Sequence, residues 1–141
     1  MATDQSLPLT GGCNCGAVRF EVTERPTGAV YCHCTRCQRR TGSAAAATAG
    51  VHPGSVRVVS GEDRIGAWKP GDGFEKEFCQ DCGSALFARD NETGEVAGVR
   101  LGAFDADPGV RPGAHQYVAY AAAWEPLPDD GLPRFPERRT G

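Results

Sequence analysis

A mainly β domain of short antiparallel strands with little helix is what this sequence predicts, and three observations carry that expectation. Its 19 glycines and 10 prolines interrupt the chain too often for long helices. Its apolar residues alternate over short runs instead of recurring at helical spacing, most clearly from Ala17 to Thr23. Its seven cysteines fall into short motifs. These are C-x-C at Cys13 and Cys15, C-x-C-x2-C at Cys32, Cys34 and Cys37, and C-x2-C at Cys79 and Cys82. Glycines flank the first and last of them, as a zinc knuckle requires. At 141 residues the chain has the length of one domain. Residues 1–8 read as a flexible N-terminal arm and residues 9–141 as a single zinc-binding domain.

Each element follows from local pattern. Thr10 to Gly16 is read as a tight turn that aims Cys13 and Cys15 at one ion. Val18, Phe20 and Val22 share one face of a strand, with Arg19, Glu21 and Thr23 on the other. Ala29 to Tyr31 forms a short strand that delivers Cys32. Thr35 is expected to cap a short helix over Arg36 to Arg40, ended by Gly42, which places Cys37 where free backbone N–H groups favour thiolate. Ser43 to Ala49 has no period, and strand or helix stays open there. Val56 to Val59 is a strand after a His52-Pro53-Gly54 turn. Phe74 to Phe78 is another, with Lys76 between two phenylalanines on one face. Beyond the Cys79 to Gly83 knuckle, Ala85 to Ala88 leaves as a strand. Asn91 to Gly94 turns the chain, and Val96 to Phe104 returns. His115 to Tyr120 is a late strand. The Pro-rich tail from Trp124 is expected to be extended and packed by Trp124, Leu132 and Phe135, with Trp68 and Trp124 in the core.

Charge and targeting narrow the function classes. Fifteen basic against eighteen acidic residues give a net charge of −3, which argues against broad nucleic-acid binding. No apolar run approaches the ~20 residues of a membrane span, and Met1 to Thr10 lacks the order of a signal peptide. A cytoplasmic protein without membrane or nucleic-acid partners is expected, and short exposed strand edges leave room for a homodimer.

The seven thiols divide as four and three. Either Cys34 and Cys37 join Cys79 and Cys82 in a ribbon, stranding Cys13, Cys15 and Cys32, or Cys13 and Cys15 join Cys79 and Cys82, leaving Cys32, Cys34 and Cys37 together. The second division keeps every short motif whole and is preferred. A site with three thiolates leaves a fourth zinc position open, as catalytic zinc sites do. Redox use of Cys34 and Cys37 is disfavoured by the third thiol beside them.

Three stretches, Gly11 to Val18, Cys32 to Cys37 with Thr41-Gly42-Ser43, and Phe78 to Gly83, resemble the successive motifs of the glutathione-dependent formaldehyde-activating enzyme (GFA) family, related to the centromere protein V domain. The likeness continues through Leu101 to Asp105, His115, Trp124 and Gly131 to Phe135. It departs at Phe104, where an aliphatic residue is more usual. The resemblance implies an Mss4-like, β-tent fold and two zinc ions per chain. Cys13, Cys15, Cys79 and Cys82 would hold a structural zinc, and Cys32, Cys34 and Cys37 a catalytic one. It further implies a carbon–sulfur lyase of the S-(hydroxymethyl)glutathione synthase type, with glutathione as co-substrate and a small-molecule thiol and aldehyde as partners. The other class of function is a non-catalytic two-zinc binding module.

For substrate carboxylates the sequence offers Arg36, Arg39 and Arg40, which equally read as a solvated helix face. His33, flanked by two cysteines that converge on one ion, should point away and orient its neighbours. His52 reads as a turn residue and His115 as packing.

Overall fold

The computed structural model describes residues 6–140; the first five positions of the expected N-terminal arm lie outside them. In chain order the elements are β1 (Leu9–Gly12), β2 (Arg19–Val22), β3 (Gly28–Cys32), α1 (Thr35–Thr41), β4 (Ala46–Gly50), β5 (Val56–Ser60), β6 (Ile65–Trp68), β7 (Glu75–Cys79), β8 (Ala85–Arg89), β9 (Val96–Arg100) and β10 (Pro112–Gln116). They form a three-stranded sheet in the order β1-β2-β5 and a seven-stranded sheet in the order β10-β3-β4-β9-β8-β7-β6. The mainly β class expected from the sequence is the one observed. All neighbouring strands run antiparallel except β10, which pairs in parallel with β3.

The alternation in β2 sets the core. Val18, Phe20 and Val22 are fully buried, and Phe20 meets Phe87 of the large sheet edge-on with ring centroids 5.1 Å apart. Leu9, Leu86, Val96 and Val99 complete one apolar cluster between the sheets. Phe104 joins it, its ring 5.9 Å from that of Phe20.

The large sheet has two unlike faces. Phe87, Val99 and Ala49 stand opposite one another across β8, β9 and β4 and are buried. On the other face the register brings Lys76, Ala88, Gly98 and Gly50 into one row, with Arg100 opposite Thr48 beside it. Residues directly opposite in a ladder share a face. The small side chains of this row leave space above the sheet, which α1 and the chain's end enclose.

Several elements differ from the sequence expectation. The unsettled Ser43 to Ala49 stretch contributes β4, and β6 carries no signal in the sequence. Gly11 and Gly12 lie in β1 rather than in a turn. A Cβ at Gly11 would run into the Ala103 carbonyl oxygen and the Phe20 ring, so glycine is needed there for close approach. The return strand stops at Arg100, where a 3-10 turn over Leu101–Ala103 directs Phe104 towards Phe20. The late strand begins earlier than expected and ends at Gln116, because Tyr117 takes a left-handed backbone (φ 58°) and a 3-10 turn follows. Neither tryptophan is in the core. Trp68 lies on edge strand β6, 39 % exposed with Arg36 over its ring, and Trp124 is 67 % exposed. No helix among the described residues is long and apolar enough to cross a membrane.

Candidate active site and metal centres

The fold gathers the cysteines into two groups. Cys13 and Cys15 lie in the turn between β1 and β2, Cys79 ends β7, and Cys82 lies in the turn to β8. Their four sulfurs lie within 4.8 Å of one another. Cys13 Sγ is 3.7 Å from Cys15 Sγ, and Cys15 Sγ is 3.9 Å from Cys79 Sγ. A tetrahedral thiophilic ion bound at about 2.3 Å from each sulfur spaces its ligands about 3.8 Å apart, so this donor set fits one. Local hydrogen bonds favour the anionic form of two of the sulfurs, those of Cys13 and Cys82. The Val18 N–H points at Cys13 Sγ (3.2 Å), and Ser84 holds Cys82 Sγ with its hydroxyl (3.2 Å). Hydrogen bonds from the Ser84 hydroxyl and backbone bring the Cys82 thiol down to about 5.

The second group is Cys32, Cys34 and Cys37, whose sulfurs also lie within 4.8 Å of one another. Cys32 ends β3, Cys34 is the N-cap of α1, and Cys37 sits in its first turn. The cap is thus Cys34 rather than Thr35. Its sulfur accepts the otherwise unpaired Cys37 N–H at 3.3 Å, the role a hydroxyl or carboxylate usually takes. Gly42 ends the helix in the left-handed conformation (φ 63°) expected of a C-terminal glycine. Of these three thiols, Cys34 is the one favoured as thiolate. Hydrogen bonds from the Cys32 and Cys37 thiols, and then from the Cys37 and Arg36 N–H groups, hold it far below the ordinary thiol range. The same neighbours, with burial, push Cys37 up. The sequence had placed the favoured thiolate at Cys37. The free N–H groups aim outward from the helix end, so the capping sulfur receives them.

Behind this cluster runs a buried polar chain. His33 and His115 are 5 % and 2 % exposed. His33 Nε2 lies 2.8 Å from His115 Nδ1, and His115 Nε2 lies 2.7 Å from Asp130 Oδ2. A carboxylate accepts only, so His115 donates from Nε2 and accepts at Nδ1, and His33 donates from Nε2. One carboxylate therefore sets both tautomers. Burial, then the neighbouring His115, lowers the His33 pKa and favours its neutral ring. Tyr31 stacks on His115 at 5.0 Å, and Gln38 ties the His33 carbonyl to that of Tyr120. His33 thus faces away from the sulfurs and anchors the loop between Cys32 and Cys34 to the chain's end. His52 caps its turn, its carbonyl accepting from Ser55 N and Oγ.

A cavity of about 680 Å³ opens over the second face of the large sheet. Cys32, Cys34 and Cys37 line it, together with Lys76, Arg100 and Tyr117, whereas Cys13, Cys15, Cys79 and Cys82 do not. Of the arginines picked out from sequence, Arg36 reaches the cavity but is paired with Asp72 at 2.8 Å. Arg39 is exposed outside it, and Arg40 packs over the Phe78 ring. Lys76, Arg100, Tyr117 and Asp130 escaped the sequence reading. For the two cations the signal was present. Lys76 lies between Phe74 and Phe78 on one face, and Arg100 ends the Val96, Gly98 row. Lys and Arg are seldom buried unless paired, so a charge in such a row is the informative exception.

Comparison with known proteins finds relatives of this chain. Residues 8–120 match the family described as glutathione-dependent formaldehyde-activating enzyme. A Halomonas elongata protein provisionally named a glutathione-dependent formaldehyde-activating enzyme is 32 % identical over 108 residues, covering 70 % of this chain and 67 % of its own. A crystal structure of a Rhodobacter sphaeroides protein superimposes with a TM-score of 0.56 at 27 % identity, covering 90 % of this chain and 99 % of that one. On the match over residues 8–120 and the likeness to the Halomonas protein, the chain belongs to the glutathione-dependent formaldehyde-activating enzyme (GFA) family.

Proposed function

We propose that the protein is a zinc-dependent enzyme that adds a thiol, glutathione in the first instance, to formaldehyde. In this reading Cys13, Cys15, Cys79 and Cys82 hold a structural zinc, and Cys32, Cys34 and Cys37 hold a catalytic one. The observation that carries it is the division of the thiols by the cavity: the three-sulfur group lines it and the four-sulfur group does not.

The reaction needs a sulfur nucleophile at neutral pH. Zinc held by three thiolates would supply Lewis acidity that favours a substrate thiol in its ionised form. The protein's own contribution is placement. The Cys37 N–H on Cys34 Sγ and the Asp130–His115–His33 chain behind the loop keep the three sulfurs convergent. Tyr117 packs against the cluster of Cys32, Cys37 and Ala46 and lines the cavity beside the three thiols. The sheet's row of Ala88, Gly98 and Gly50 leaves room for the thiol's chain. One sulfur–carbon bond forms, the thiol proton ends on the aldehyde oxygen, and nothing is oxidised.

Zinc content and adduct formation, followed by NMR with glutathione and formaldehyde, test the reading. Two zincs per chain with accelerated adduct formation, lost in Cys34→Ala, is the expected result. Two zincs without acceleration would replace the enzyme with a two-zinc binding module.

A further inference from the structure

Three cations at least partly withdrawn from solvent stand around the three-thiol group without a carboxylate partner among the described residues; Arg138, which also lines the cavity, is exposed. Arg100 is 9 % exposed, and its side-chain hydrogen bond goes to Thr48 Oγ1 at 2.6 Å. Lys76 is half-buried and donates to the Phe74 carbonyl at 3.0 Å. Arg40 lies behind the cavity with its Nε buried and unpartnered. Elsewhere the cations without a carboxylate partner, Arg25, Arg39, Lys69, Arg134, Arg138 and Arg139, are all exposed to solvent, whereas Arg19, Arg57, Arg64, Arg89 and Arg111 each reach an Asp or Glu. Even Arg36, at the cavity's edge, is paired with Asp72.

Burying a cation with neither a counter-charge nor a full set of hydrogen bonds is costly. The thiols supply part of the balance. Three thiolates around a divalent ion carry one negative charge by formal count, and the three cations carry three positive ones. Two negative charges are missing. A ligand thiolate provides one of them, and a carboxylate on the same ligand provides the other. Of the three cations, Lys76 and Arg100 line the cavity, on neighbouring rows of one sheet face, with only Ala88 and Gly98 between them in the ladder. That placement offers an ammonium and the free part of a guanidinium to one anionic group, the strong form of such hydrogen bonds.

We propose that Lys76 and Arg100 form an anion clamp in this cavity and make the protein select thiols that bear a carboxylate over neutral thiols. The proposal rests on reading Cys32, Cys34 and Cys37 as the thiol-activating centre, and it names what decides which thiol reaches them.

The test uses the zinc-loaded full chain and S-methylglutathione, whose sulfur is blocked, so that its binding does not depend on thiol activation. Titration calorimetry at low salt should show binding that weakens as salt is added. Lys76→Gln should raise Kd about ten-fold or more, and esterifying both carboxylates of the probe should have at least that effect. Arg100→Lys, which keeps the buried charge but loses the fork, should weaken binding less than Lys76→Gln. A folded Lys76→Gln with unchanged Kd, an esterified probe that binds equally well, or no binding of the probe would each overturn the clamp. The two readings fail separately. Salt-sensitive probe binding without turnover would sink the catalytic reading and leave the clamp. Turnover with equal kcat/KM for glutathione and the neutral 2-mercaptoethanol would sink the clamp and leave the catalysis.

Discussion

Replacing Phe20 with Leu should loosen the join between the two sheets. Phe20 comes from β2 of the small sheet and is 1 % exposed. Its ring meets Phe87 at 5.1 Å and Phe104 at 5.9 Å, both near the edge-to-face geometry that such rings prefer. Each contact is worth about 0.5–1.5 kcal/mol beyond area burial. Losing both, together with the cavity left by a smaller side chain, amounts to about 2–4 kcal/mol, under the ~3–5 kcal/mol of a full Phe→Ala truncation. For a chain of this size that corresponds to a fall in Tm of roughly 10 °C. Calorimetry on the zinc-loaded protein measures it, and a double-mutant cycle with Phe104→Leu isolates the ring contact. A fall below about 3 °C, or single effects that add to within about 0.5 kcal/mol, would refute the idea that this aromatic cluster holds the sheets together.

Other substitutions separate the two thiol groups and the ion pairs. Cys34→Ala should abolish glutathione-dependent formaldehyde consumption, at least 100-fold, while leaving one zinc per chain by metal analysis and a near-native circular dichroism spectrum. Cys79→Ala removes a thiol that is fully buried in the inter-sheet core, and should cost metal, cooperative unfolding and activity together. Asp105 accepts from Arg19 and from Thr10 Oγ1, and its carboxyl is held below the ordinary range chiefly by the Arg19 hydrogen bond. A depressed carboxylate stabilises the fold above the unfolded pKa of about 3.9 and loses that contribution as pH falls through the folded value. Asp105→Asn should therefore lower Tm at pH 7 and make progressively less difference as pH falls through that depressed value. Tyr117→Gly tests the left-handed turn at the cavity: glycine relieves the backbone but removes a ring that lines the cavity beside the three thiols, so KM for glutathione should rise with little change in Tm.

Much of the fold was legible because alternation and glycine placement are local signals. Val18, Phe20 and Val22 announced the core face of β2, and the glycine after Cys82 announced a knuckle. Spacing left two divisions of the thiols open, and the preference for keeping each motif whole picked the one the fold forms. What escaped depends on contacts distant in sequence. Β4 is alanine, threonine and glycine, and becomes a strand because β3 and β9 pair on either side of it. Trp68 is apolar enough for a core but falls on an edge strand. The cavity's cations needed the register of four strands to be seen together, since Lys76 and Arg100 are brought to one face by β8 and β9. Asp130 lies outside residues 8–120, over which the family model matches, and its tie to His115 spans a loop with no pattern to reveal it.

The parallel pairing of β10 with β3 fixes the order in which a ribosome can deliver a finished site. His33 must wait for His115, which is 82 positions later, or roughly 4–16 s at usual rates of synthesis. Cys15 must wait for Cys79, 64 positions later. Cys32, Cys34 and Cys37 fall within a single turn and emerge together. In a nascent chain the three-thiol group is thus the first to be complete, before the four-thiol group has all its members and before the chain's end arrives to wall it in.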